Sequence, residues 1–91
     1  RKYDLILVTG TVAQDVVDGF ANELTQLCAE HGTQFIASRD VANNASAIEV
    51  LYQAQAVIFV ERIGEYKLKK VYRGVERVWQ SDKDIIGYTL R

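Results

Sequence analysis

The chain contains no proline and no methionine, and it has one cysteine, one histidine and one tryptophan. Without proline its loops are plain, and no Pro-rich or low-complexity linker divides it. A lone cysteine, Cys28, excludes an internal disulfide and fits a reducing compartment. A lone histidine, His31, can supply with Cys28 at most half a metal site. His31 reads instead as a helix C-terminal residue complementing the dipole, and Cys28 as a small apolar side chain on a buried helical face. No apolar run approaches the roughly 20 residues that span a bilayer, and no signal-peptide pattern precedes Tyr3. A start at Arg1 with no methionine anywhere is the pattern of a domain cut from a larger protein.

Glycine is scarce where an α/β protein usually needs it. The first strand pattern, Tyr3–Thr9, runs into Gly10-Thr11-Val12-Ala13-Gln14-Asp15, with one glycine and no lysine. A P-loop needs several glycines so that backbone N–H groups can wrap phosphates, and a lysine to neutralise them. The turn has neither, which argues against a nucleotide-using enzyme. A phosphorelay receiver would need acidic ligands at this strand end for a hard cation, and a phosphotransferase-system IIB domain would need a cysteine or histidine there. Neither is present.

What is there suits one small Rossmann-like domain over residues 1–91: 48% apolar, 25% charged, with a formal net charge of −1. That charge excludes strong steering toward nucleic acid. Its distribution is uneven. Residues 1–60 hold three basic and seven acidic side chains, whereas 61–91 hold eight basic and five acidic. Lys67, Lys69, Lys70, Arg73 and Arg77 carry much of the excess, and a solvated helix face is the plain reading of such a run.

Four apolar strand patterns alternate with three helical ones. The later strands read as Gln34–Ala37, Ala56–Val60 and Ile85–Leu90, and the first and third are near-continuous apolar runs, as in parallel strands covered on both faces. Thr11-Val12-Ala13-Gln14 has the capping-box pattern for the first helix. Its buried face is expected to carry Ala13, Val16, Val17, Phe20, Leu24, Leu27 and Cys28, with Gly32 as the left-handed stop. Asn43 or Asn44 caps the second helix, which turns Ile48, Leu51 and Tyr52 inward. The third begins near Glu65 and is expected to bury Leu68, Val71, Tyr72, Val75, Val78 and Trp79. Gly74 within it implies close packing. Tyr66 and Tyr72 lie among basic residues, a setting that phosphorylation can use, although Tyr72 reads as core and Tyr66 as plain surface.

This series predicts an α/β three-layer sandwich with a four-stranded parallel sheet in the order 2-1-3-4. Any crevice then opens at the carboxyl ends of strands 1 and 3, lined by Thr9, Gly10, Thr11, Glu61 and Arg62. Thr9, Gly10, Thr11, Ser38 and Arg62 are the candidate anion-binding residues there.

From the second strand onward the chain resembles the end of the bacterial tyrosine-kinase domains of capsule and exopolysaccharide systems, within the deviant P-loop, MinD-like group. Val60-Glu61-Arg62-Ile63-Gly64 resembles that family's Val-x-Arg-x-Gly strand end, and a basic helix follows. Ile85-Ile86-Gly87-Tyr88-Thr89-Leu90 resembles its last strand, and Ala47–Val60 follows its helix-to-strand rhythm. The likeness covers residues 34–91. Every catalytic part departs from the family: Ala37 stands at the Walker B aspartate, Ser38-Arg39-Asp40 follows in place of Thr-Pro-Pro, and the Walker A loop is short and lacks Gly-Lys-Ser/Thr. No closing tyrosine cluster is present.

The resemblance therefore implies a non-catalytic, cofactor-free regulatory domain of polysaccharide biosynthesis, such as the cytosolic tail of a chain-length determinant. Its implied partner is a polysaccharide-assembly membrane protein or kinase, and its place is the cytoplasm, tethered to the inner face of the plasma membrane through flanking segments. Lys67, Lys70, Arg73 and Arg77 are the expected partner surface, facing an acidic protein or anionic membrane. The alternative is a sensor of phosphate or sugar nucleotides at the strand-end crevice.

Overall fold

A computed structural model describes residues 3–64 and 67–91. The elements run β1 (Leu5–Thr9), α1 (Gln14–Leu27), a short 3₁₀ turn (Ala29–His31), β2 (Gln34–Ala37), α2 (Ala45–Gln53), β3 (Ala56–Glu61), α3 (Leu68–Gln80) and β4 (Asp84–Leu90). The strands form one parallel sheet in the order β2-β1-β3-β4. The predicted fold class and strand order both hold.

The apolar runs of β1 and β3 become central strands because each must be covered on two faces. One face packs Leu7, Val57 and Phe59 against Leu51, Val41 and Val78, beneath α2 and α3. The other packs Val8 and Val60 against Val12, Val17 and Ala21, beneath α1. Phe59, Leu7 and Leu51 are among the largest fully buried side chains, each worth about 1.5–3 kcal/mol of burial. Gly74 does permit close packing: a Cβ there would lie 3.3 Å from the Phe59 ring. At the far end of β4, Arg91 pairs with Glu23 at 2.6 Å and lies 4.6 Å from the Phe20 ring centroid, tying the last strand to α1.

Several local expectations are corrected. Thr11 and Gln14 do not form a capping box: Ala13 is the N-cap of α1 and makes no side-chain cap bond. Both side chains are drawn into tertiary bonds that outcompete the local pair. Asn44 does cap α2, accepting from the Ser46 N–H at 3.1 Å. Gly32 is left-handed at φ 72°, but it stops the 3₁₀ turn that follows α1 rather than α1 itself. Ala13, Leu27, Tyr52, Leu68, Tyr72 and Trp79, all expected in the core, are exposed. Cys28 is half-buried. Glu65 and Tyr66 lie outside the described residues, so the expected start of the third helix and the reading of Tyr66 fall there too.

Candidate functional site: the sealed turn after strand 1

The carboxyl ends of β1 and β3 meet at the point where the sheet order reverses, the usual ligand crevice of such folds. Gly10 sits here because nothing larger fits. A Cβ would lie 1.9 Å from the Val60 carbonyl oxygen, so the glycine serves close strand approach rather than phosphate wrapping.

The turn's polar groups are taken from within the chain. Glu61, fully buried at the end of β3, places its carboxylate against the turn. It accepts from the Thr11 backbone N–H at 2.9 Å and from the Thr11 hydroxyl at 2.6 Å. The carbonyls on the other side are satisfied by the segment after β2. The Asp40 N–H donates to the Gly10 carbonyl at 2.8 Å. The Arg39 guanidinium donates to the Val12 carbonyl at 2.7 Å and the Thr11 carbonyl at 3.0 Å. Gln14 completes the clasp, accepting from the Arg39 N–H at 3.0 Å and donating to the Ala37 carbonyl at 3.1 Å.

This is the reverse of a phosphate cradle. A cradle turns backbone N–H groups toward an anion, whereas this turn points its carbonyls at a cation and gives its Thr11 N–H to an internal carboxylate. Such charge-assisted bonds are short and strong, so an external anion would have to displace Glu61 to gain the Thr11 donors.

The predicted crevice residues are only partly gathered. Thr9 is fully buried, and its hydroxyl finds no hydrogen-bond partner among the described residues. Gly10 and Thr11 form the sealed turn. Ser38 is buried at the end of β2, its N–H continuing the ladder to the Val8 carbonyl at 3.0 Å. Arg62 is exposed beside Thr11, Val12 and Asp15 in an open hollow outside the seal. Glu61 and Arg39 organise the site; Glu61 was expected to line the crevice but not to fill it as an internal acceptor, and Arg39 was not among the candidates. The available signal was a glutamate closing the apolar run Ala56–Val60, since a charge at a buried strand end needs a partner.

The basic surface divides in two. Lys67 is the N-cap of α3, and Lys69 and Lys70 occupy its first turn, with no acidic residue there and no side-chain cap. Positive charge at a helix N-terminus opposes the dipole, at about 0.3–1 kcal/mol per residue. Arg73 and Arg77 lie further along, near Ala42 and Asn43. Arg77 is partly structural, donating to the Ala42 carbonyl at 3.0 Å.

A third feature lies on the α1 face, where a single helix leaves part of the sheet uncovered. The resulting open apolar depression of about 580 Å³ is lined by Ile6, Leu24, Phe35, Ile58 and Ile86, with Cys28 and His31 also on its wall. Among the described residues no three of His, Cys, Asp or Glu gather as a metal site, and no helix is long and apolar enough to cross a membrane. Comparison with protein-family models, curated proteins and solved structures returns no match.

Proposed function

We propose that this chain is a non-catalytic regulatory and interaction domain, a degenerate relative of the kinase domains of bacterial polysaccharide biosynthesis. The observation that carries this reading is the Glu61 carboxylate seated on the Gly10–Thr11 turn. Phosphoryl transfer depends on positioning phosphates and stabilising their charge, and here the position is filled by a side chain of like charge. The domain works on the cytoplasmic side, tethered to the membrane by flanking segments, and its partner is an acidic region of a polysaccharide-assembly protein or the anionic membrane beside it.

The start of α3 supports that choice of surface. Three lysines at the wrong end of a helix lower stability, and among the described residues no side-chain cap compensates them. Binding an acidic partner offsets the cost, because that partner meets both the lysines and the positive end of the dipole.

The test sets stability against binding. Lys70→Glu places an acidic residue at the third helical position, where the dipole favours it by about 0.5–1 kcal/mol. It also places that residue beside Asp40 and Glu61, whose like charges oppose it, so stability should change little. The same change should weaken binding to phosphatidylglycerol vesicles or to polyglutamate. Unchanged binding to both probes would remove this surface from the proposal. Arg77 is left intact because its bond to Ala42 would confuse the readout. ATP with Mg²⁺, UDP-sugars and inorganic phosphate should leave the wild-type melting temperature unmoved. A rise that grows with the concentration of any of them would favour the sensor instead.

A further inference from the structure

Helix α3 carries two apolar stripes and uses only one. Val71, Gly74 and Val78 face the sheet. Leu68, Tyr72, Val75 and Trp79 recur at four, three and four residues, forming a second stripe beside the first. Its large members are exposed: Leu68 is 74% accessible, Tyr72 63% and Trp79 69%. Arg73 and Arg77 lie toward Ala42 and Asn43, on the β1 side of the helix. Around the helical circuit the second stripe points the other way, toward the edge strand β4.

β4 continues this patch. Tyr88 stands opposite Phe59 and Leu90 opposite Glu61 in the parallel register, which puts both on the α3 face. The Tyr88 ring stacks on Phe59 at 5.7 Å between centroids, and Tyr88 and Leu90 are each 47% accessible. Proteins usually protect long edges with lysine, proline or a short strand. The β2 edge is short, at four residues, but β4 has seven and contains neither lysine nor proline. A bulge at Ile86 breaks its regular ladder, which leaves Gly87–Leu90 as the run available for pairing.

We propose that a second copy of this chain covers this edge, with β4 pairing antiparallel to its equivalent across a two-fold axis and the two α3 helices packing side by side. Three features favour a copy over an unrelated partner. First, the spacing closes. α3 sits over β3 and β4, since its glycine meets Phe59 and Val75 packs in the same cluster as Ile85. Strands about 4.8 Å apart then place the two helix axes about 10 Å apart, the distance at which helices pack. Second, the charges agree. With Tyr72 and Val75 near the axis, Lys69 of one copy lies beside Glu76 of the other, while the basic faces at Arg73 and Arg77 point away from the seam. Third, the area suffices. The exposed parts of Tyr72, Trp79 and Tyr88 amount to about 400 Å² per copy. Doubled, and with Leu68, Leu90 and the strand backbones added, this reaches the roughly 1,200 Å² at which specific interfaces begin.

Trp79 is the chain's single tryptophan and lies in the proposed seam, so its emission reports on the interface directly. Sedimentation across a dilution series should show the mass rising from 10.3 kDa to twice that value, with Trp79 emission shifting to the blue in step. Tyr72→Glu, at an exposed position that leaves folding intact by circular dichroism, should weaken association by at least about 30-fold. Lys69→Glu should weaken it a few-fold, and Lys69→Glu with Glu76→Lys should restore it. The proposal is overturned by a 10.3 kDa species at every concentration, by a dimer whose Trp79 emission does not move, or by a dimer indifferent to Tyr72→Glu. None of these outcomes bears on Lys70 and its anionic probes, so the two readings fail separately.

Discussion

Replacing Glu61 with methionine keeps the side chain's length and bulk but removes the carboxylate that accepts from both the Thr11 N–H and the Thr11 hydroxyl. Each orphaned donor in a buried setting costs about 1–3 kcal/mol. Thr11 is half-buried, so water recovers part of one of these losses. Removing a buried carboxylate also relieves its desolvation, which works in the opposite direction. The balance is a loss of about 2–4 kcal/mol for Glu61→Met. Thr11→Val removes the hydroxyl and leaves the N–H bond, for a loss of about 1–2 kcal/mol.

The double variant separates this account from simple loss of packing. With both polar side chains gone, only the Thr11 N–H remains unsatisfied, so the combined cost should fall short of the sum by about 1–2 kcal/mol. Urea unfolding followed by circular dichroism measures all three, provided the slopes agree between variants. A Glu61→Met loss below about 0.5 kcal/mol, or strict additivity in the cycle, would refute the sealed turn as a stabilising device.

Three further substitutions extend the test, two at the turn and one on the exposed face of α1. Gly10→Ala should cost about 3 kcal/mol or more, because the clash at 1.9 Å is with strand backbone and no side chain can yield. Gly19→Ala, in exposed helix with open space around it, should instead gain about 1 kcal/mol; thermal melts of the pair check both signs. Arg39→Ala strips two donors from the turn carbonyls and should cost about 1.5–3 kcal/mol in the same urea assay, and a neutral result would mean that the turn holds without its clasp.

The strand order was legible because parallel strands buried on both faces leave uninterrupted apolar runs, as Leu5–Val8 and Ala56–Val60 do. A cap was legible where one residue decides it, as Asn44 does, whereas Gly32 took the expected left-handed conformation but ends the 3₁₀ turn instead of α1. The capping box failed because Thr11 and Gln14 had long-range partners, Glu61 at a separation of 50 residues and Arg39 at 25. A local motif cannot register such competition. The sealed turn was half legible: the missing phosphate chemistry could be read from Gly10–Asp15, but what fills its place depends on which strand end lies opposite.

Helix α3 misled for a different reason. Val71, Val75 and Val78 share one helical spacing and Leu68, Tyr72, Val75 and Trp79 share another, with Val75 common to both. Periodicity reports that a stripe exists, not how many neighbours the helix has. Near a sheet edge one stripe meets strands and the other meets whatever lies beyond the edge. The valines, compact and β-branched, took the tight side over Phe59, where even a Cβ at Gly74 would be crowded at 3.3 Å. The aromatics were left on the side with room for them. An apolar surplus of that kind belongs to an interface whose other half is not in the same fold, and the seven-residue edge beside it offers the backbone to complete one.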